Sequence, residues 1–209
     1  MIVKTLELGP MSNRTYVVGN PDKGECLVID PSWEMTAIAG CAKDNGWKIK
    51  DVFLTHGHFD HVKDMAALLT ENGLRAHLEK NDAAMLEIKQ ELFETFSGDA
   101  MFVSAGLDVE ILHTPGHSGG SCCIKIEDSI FTGDTLFIGE CGRVDLPGSD
   151  PVRMWESLLR LAKLDAALKV YPGHSYSSES HSTIGREVLS NPYMVLAAKG
   201  RAQFIEAMS

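Results

Sequence analysis

The sequence predicts an α/β fold, and three observations carry that expectation. Short apolar or β-branched runs closed by Gly, Pro, Asp or Asn recur along the chain, as strands do. Between several of them, longer segments place apolar residues at helical spacing and stop at glycine. Four of the strand-like runs lead into histidine or aspartate, which points to packed sheets whose ends meet along one edge.

The elements follow in order. Residues 1–8 alternate as a strand does. Residues 15–18 and 25–30 are two further strands, and the turn cluster Gly19-Asn20-Pro21-Asp22 between them predicts a hairpin. Residues 33–45 read as a helix ended by Gly46. The run at 52–55 is apolar throughout, as expected of a strand covered on both faces. A helix over 61–70 places Met65, Leu68 and Leu69 on one side, with Gly73 beyond its end. A short strand at 75–78 precedes a helix that Asn81 caps and that runs to about Thr95. Strands follow at 109–113, 121–126 and 129–132. Asp150 and Pro151 open a helix to about Leu164. A strand at 168–171 and a final helix from Asn191 complete the reading. Residues 131–134 and 171–174 look like one design used twice, which points to a diverged internal duplication.

Composition bounds the function. The chain has 209 residues, 44% hydrophobic and 23% charged, enough for one sizeable core, so a single domain over 1–209 is expected. The formal net charge of −10 lacks the basic surface that nucleic acid requires. The amino terminus lacks a signal-peptide pattern, and no apolar run spans a bilayer, so a cytoplasmic protein without a membrane partner is expected. The five cysteines are odd in number and form no C-x-x-C, which argues against a disulfide framework. Cys26, Cys122 and Cys123 read as core residues, and Cys141 as a small residue of a polar loop.

The chemistry concentrates in Thr55-His56-Gly57-His58-Phe59-Asp60-His61. Three imidazoles and a carboxylate crowd a short stretch just after an apolar run. Protonated histidines would repel there, and buried ones would lose hydration. A bound cation reverses both penalties by favouring neutral imidazole and ionised carboxylate. Imidazole with carboxylate suits zinc, iron or manganese. Three later strand ends lead to His117, Asp134 and His174.

These residues closely resemble the metallo-β-lactamase superfamily. The H-x-H-x-D-H motif is His56, His58, Asp60 and His61, and His117, Asp134 and His174 follow in the family's order. The resemblance implies an αβ/βα four-layer sandwich of two mixed sheets with outer helices and metals at one edge. It is strongest to the short glyoxalase II-like branch, through Gly133-Asp134-Thr135-Leu136-Phe137 and Cys141-Gly142-Arg143. It implies no carboxy-terminal helical domain for glutathione, since the chain stops at Ser209. Val144 and Asp145 stand where that branch carries an aromatic residue that helps to bind glutathione.

Carried over position by position, the resemblance implies two divalent metal ions, zinc first, with iron or manganese as alternatives. His56, His58 and His117 would hold one, Asp60, His61 and His174 the other, and Asp134 would bridge them. Two metals about 3.5–4 Å apart can share a hydroxide that attacks a carbonyl. Hydrolysis of a small-molecule thioester is the leading expectation, with Asp60 or Asp134 orienting the hydroxide or taking its proton. Asp30 and Thr55 are candidate supports of the ligands, although Asp30 also fits a plain strand-end aspartate. Arg143 reads as a clamp for a substrate carboxylate or as a solvated arginine, and Tyr176 as a pocket wall or a packed surface residue. His77, His113 and His181 fall outside the motif and are not assigned as ligands. Three alternatives stay open: a persulfide dioxygenase-like enzyme with one iron on His56, His117 and Asp134, a lactonase, and a metal-binding or sensing module without turnover. The oligomeric state is left open.

Overall fold

A computed structural model of the chain describes residues 1–86 and 90–208. The first sheet holds β1 (Ile2–Leu8), β2 (Asn13–Asn20), β3 (Glu25–Ile29), β4 (Lys48–Phe53), β5 (Ala76–Glu79) and β6 (Phe93–Phe96), in that order. β1 to β3 are antiparallel, and β3 to β6 run parallel. The parallel half is threaded by α1 (Met35–Asp44), α2 (Phe59–Val62), α3 (Met65–Asn72) and α4 (Lys80–Ala83). The second sheet holds β7 (Ala100–Ser104), β8 (Leu107–His113), β9 (Cys122–Ile126), β10 (Ser129–Gly133), β11 (Lys169–Pro172) and β12 (Ser182–Thr183), again adjacent in chain order. Only β10 and β11 pair in parallel there, joined through α5 (Pro151–Leu161). Helices α6 (Ile184–Ser190), α7 (Pro192–Lys199) and α8 (Arg201–Met208) close the chain.

Strand alternation explains the layers. Adjacent residues of a strand face opposite sides of its sheet. Val18, Ile29 and Phe53 enter the core between the sheets, against Val109, Ile124 and Phe131 of the second. Their neighbours Val17, Val28 and Val52 face outward onto Ile38 of α1 and Leu68 and Leu69 of α3. On the other side, Cys123, Ile130 and Val170 pack against Leu158 of α5, Ile184 of α6 and Phe204 of α8. Both faces of the central strands are covered there, so the stretches 27–29 and 52–53 are apolar without a polar alternate. Each such Leu, Ile or Phe stabilises the sandwich by about 1.5–3 kcal/mol on full burial. The result is the expected four-layer sandwich.

Several expectations need correction. The helix expected from Asn81 to Thr95 is not formed. One turn, α4, begins there with Glu79 as its cap, accepting from the Asn81 amide at 2.7 Å. Residues 87–89 lie outside the described residues. Residues 93–96 are β6, which pairs in parallel with β5 because sheet hydrogen bonds outweigh helical periodicity at that edge. The helix expected over 61–70 is two helices, parted where Lys63 is extended and Asp64 is left-handed at φ 63°. The carboxy-terminal helix is likewise α7 and α8, parted at Gly200. Strands β7 and β12 were not anticipated. Asp150 does cap α5, accepting from the Val152 and Arg153 amides at 2.8 and 3.1 Å. Residues 131–134 and 171–174 lie side by side, because β10 and β11 are parallel neighbours that end on the same edge. Among the described residues, no helix is long and apolar enough to cross a membrane.

Candidate metal centre

Four loops meet at one edge of the sandwich. The loop after β4 brings His56 and His58, and the single turn α2 brings Asp60 and His61. The loops after β8, β10 and β11 bring His117, Asp134 and His174. All seven sequence-predicted residues converge. The donor atoms of His56, His58 and His117 lie within 4.8 Å of one another, and so do those of Asp60, His61 and His174. Asp134 lies between the two groups. Its Oδ2 is 3.5 Å from His117 Nε2 and 3.4 Å from His174 Nε2, and its Oδ1 is 3.4 Å from His61 Nε2. Close approach at this point needs glycine. Gly133 sits at φ +47° against the Thr55 side chain, and a Cβ on Gly173 would strike Asp134 Oδ1.

The other ring nitrogens fix which atoms face inward. His61 Nδ1 donates to Asp30 Oδ2 at 3.0 Å, His117 Nδ1 to the Arg143 carbonyl at 3.0 Å, and His174 Nδ1 to the Met11 carbonyl at 3.0 Å. At His56, the Thr55 hydroxyl gives its one proton to Asp30 Oδ2 at 2.6 Å. The 3.1 Å contact between Thr55 Oγ1 and His56 Nδ1 is therefore a donation by the ring. Each of these rings turns Nε2 into the basin, and His58 turns Nδ1 there, 2.8 Å from His117 Nε2. His56 Nε2 and Asp134 Oδ1 are buried without a hydrogen-bond partner. Orphaned buried acceptors are costly, and here both point at a place where a cation would satisfy them.

Charge completes the argument. Burial works hardest on these groups and opposes ionisation. At His61, Asp134 and Asp30 overcome burial and raise the imidazole to about 10. At His174, Asp134 and Asp60 do the same, also to about 10. Asp60 is held at about 2 against its burial by His174, His61 and Asn13. Asp134 is held well below the carboxylate range against burial by His61 and His174. His56 and His58 are pushed down, first by burial and then by neighbouring imidazoles. The carboxylates that hold protons on His61 and His174 would favour a bound cation in their place.

Asp30 accepts from the Thr55 hydroxyl and from His61 Nδ1. It also accepts the Thr55 amide at 2.7 Å, so with Thr55 Oγ1 and His61 Nδ1 its oxygens are occupied. Sequence reasoning missed Asn13, Arg14 and Asp82. Asn13 Nδ2 donates to Asp60 Oδ2 at 2.8 Å, and its Oδ1 accepts from Trp33 Nε1 at 3.1 Å. Buried Arg14 donates to the carbonyls of Ser177, Glu179 and Ser180, and so holds the loop that carries Tyr176. Asp82, fully buried, accepts from the Gly57 amide at 2.8 Å, the Gly120 amide at 2.6 Å and Ser118 Oγ at 2.7 Å. It ties the loop of His56 and His58 to the loop of His117. Asp82→Ala is expected to strand those donors and cost about 3 kcal/mol of stability, read in denaturant unfolding. Unchanged unfolding would contradict it.

A cavity of about 1070 Å³ opens from the basin. Tyr176 lines it, stacked on the His174 ring at 5.4 Å and edge-on to Phe137 at 4.9 Å. Arg143 also lines it, but its guanidinium holds Asp145 through two bonds of 2.6 and 2.7 Å. Cys141 lines it too, with its thiol pushed up to about 12 by burial, which makes it a poor nucleophile. The remaining histidines are engaged elsewhere. His77 stacks on Phe53 and faces Asp51, His113 meets the Gly119 carbonyl, and His181 stacks on Tyr171.

A sandwich of two mixed sheets with imidazoles and carboxylates gathered at one edge is the architecture of a metallohydrolase. The family model for the metallo-beta-lactamase superfamily matches residues 8–174, and the chain belongs to that superfamily. It is 30% identical over 173 residues to a probable polyketide biosynthesis zinc-dependent hydrolase, PksB, of Bacillus subtilis (strain 168), covering 82% of this chain and 77% of that protein. It is 33% identical over 198 residues to the hydroxyacylglutathione hydrolase of Nitrosococcus oceani, covering 91% of this chain and 73% of that one. Among solved structures it is similar to ETHE1 from Myxococcus xanthus, with a TM-score of 0.89 and 28% identity over 100% of this chain and 90% of that one.

Proposed function

We propose that the chain is a metal-dependent thioester hydrolase with a two-metal centre. The observation that carries this reading is the pair of three-residue donor groups on either side of Asp134, whose Oδ1 is buried without a hydrogen-bond partner. His56, His58 and His117 would hold one ion, Asp60, His61 and His174 a second, and Asp134 both. Once bound, such a pair supplies Lewis acidity and a water activated near neutral pH.

The chain's own residues do the rest. Asp30 and Thr55, with the Arg143 and Met11 carbonyls, lock four rings with Nε2 inward, which keeps the donors aimed before metal arrives. Asp60 and Asp134 lie at the basin beside His61 and His174, where they would orient the attacking water. The imidazoles that face the basin are all committed to it, so none is left as an acid for a poor leaving group. A thiol, with an ordinary pKa of about 8.5, leaves as its anion without one. The likeness to a hydroxyacylglutathione hydrolase supports the same substrate class.

The test is metal removal and return. Chelated protein is expected to lose thiol release from S-lactoylglutathione and simple acyl thioesters, and to regain it with zinc or ferrous iron. Metal-replete protein that leaves every thioester intact would overturn the reading. Oxygen uptake with glutathione persulfide on one iron per chain would put a dioxygenase in its place, and lactone hydrolysis without thioester hydrolysis a lactonase.

A further inference from the structure

Among the described residues, the cavity wall beyond the metal centre is apolar and uncovered. Phe59 is 63% exposed, Met85 56% and Tyr176 62%, yet all three line the same cavity. Leu86, Leu146 and Pro147 continue the wall. The residues come from both halves of the chain. They meet where Met85 Sδ lies in van der Waals range of the position a Cβ on Gly148 would take. Large apolar side chains left open to water along one cavity mark a ligand surface. Among the described residues, the cations on the same wall are already engaged. Arg143 is paired with Asp145, and the Lys63 ammonium sits 4.7 Å from the centre of the Trp33 ring. The wall is continuous with His58, Asp134 and His174, so whatever it holds is presented to the reaction centre.

We infer that the substrate is a thioester with an extended apolar acyl group, which lies along Phe59, Met85, Leu86 and Leu146, and that the charges of the thiol carrier contribute little to recognition. This rests on the thioester-hydrolase reading. Burial of each added methylene then raises affinity about two- to fourfold. No wall residue donates or accepts a proton in the reaction, so these side chains determine specificity and not the chemical step.

The experiment uses metal-replete protein with acetyl, butanoyl and hexanoyl thioesters of N-acetylcysteamine, beside S-lactoylglutathione. Expected is a kcat/KM that climbs about two- to fourfold per methylene, chiefly through KM, with lactoylglutathione below the hexanoyl thioester. Met85→Glu, at an exposed position, is expected to flatten the climb. A second arm titrates metal-free protein calorimetrically with the matching thioethers, which cannot be hydrolysed. Their affinity is expected to rise with chain length, with a negative heat-capacity change. Rates and affinities independent of chain length, or a preference for lactoylglutathione, would overturn the inference and leave the thioester reading intact. If no thioester is hydrolysed, the earlier reading falls instead. The thioether titration then judges the wall alone, and a flat series would overturn it.

Discussion

Asp134→Ala is expected to release most of the bound metal and to slow thioester hydrolysis by about 10³-fold or more. The carboxylate lies against both donor clusters, 3.4 to 3.5 Å from His61, His117 and His174. Its removal leaves each group three donors and takes away the negative charge between them. Metal-derived stabilisation of a transition state is worth several kcal/mol, and each 1.36 kcal/mol is tenfold in rate. Circular dichroism separates this effect from unfolding, since Asp134 belongs to a loop and not to the cores. Metal content and turnover equal to the parent protein would contradict the assignment.

Asp30→Ala is expected to be the most damaging change at a residue that touches no metal. Asp30 holds three buried donors at once: the Thr55 amide, the Thr55 hydroxyl and His61 Nδ1. Removing one partner of a buried charged pair costs about 3–5 kcal/mol, because the others are left desolvated. The His61 ring would lose its orientation, and the Thr55 hydroxyl would be free to turn its proton toward His56. Supports of this kind change metal affinity by about 10- to 100-fold. The expected result is a marked fall in thermal midpoint with weaker metal binding, both partly restored in Asp30→Asn. A midpoint and metal affinity unmoved by Asp30→Ala would show that the network carries no load.

The candidate metal basin was legible because its residues are dense in the sequence. His56, His58, Asp60 and His61 crowd one loop, and such crowding has few structural explanations. His117, Asp134 and His174 each follow an apolar strand, so the pattern of strand end and ligand carried them as well. Asp82, Asn13 and Arg14 were not legible. Each is a single polar residue whose partners lie far along the chain. Asp82 reaches back 25 residues to Gly57 and forward 38 to Gly120. No local pattern marks such a tie. The helix expected from Asn81 failed for a related reason. A helical turn does form at Lys80–Ala83, but Phe93 and Phe96 gain sheet pairing with β5 that a helix could not offer. The apolar cavity wall was also hidden, since Phe59, Met85 and Leu146 come together only through the tertiary fold.

The most direct test is anomalous diffraction from crystals of the metal-replete protein. Two peaks flanking the Asp134 carboxylate, one among His56, His58 and His117 and the other among Asp60, His61 and His174, are the expected result. A single peak, or density for metal anywhere other than between those side chains, would contradict the two-metal account.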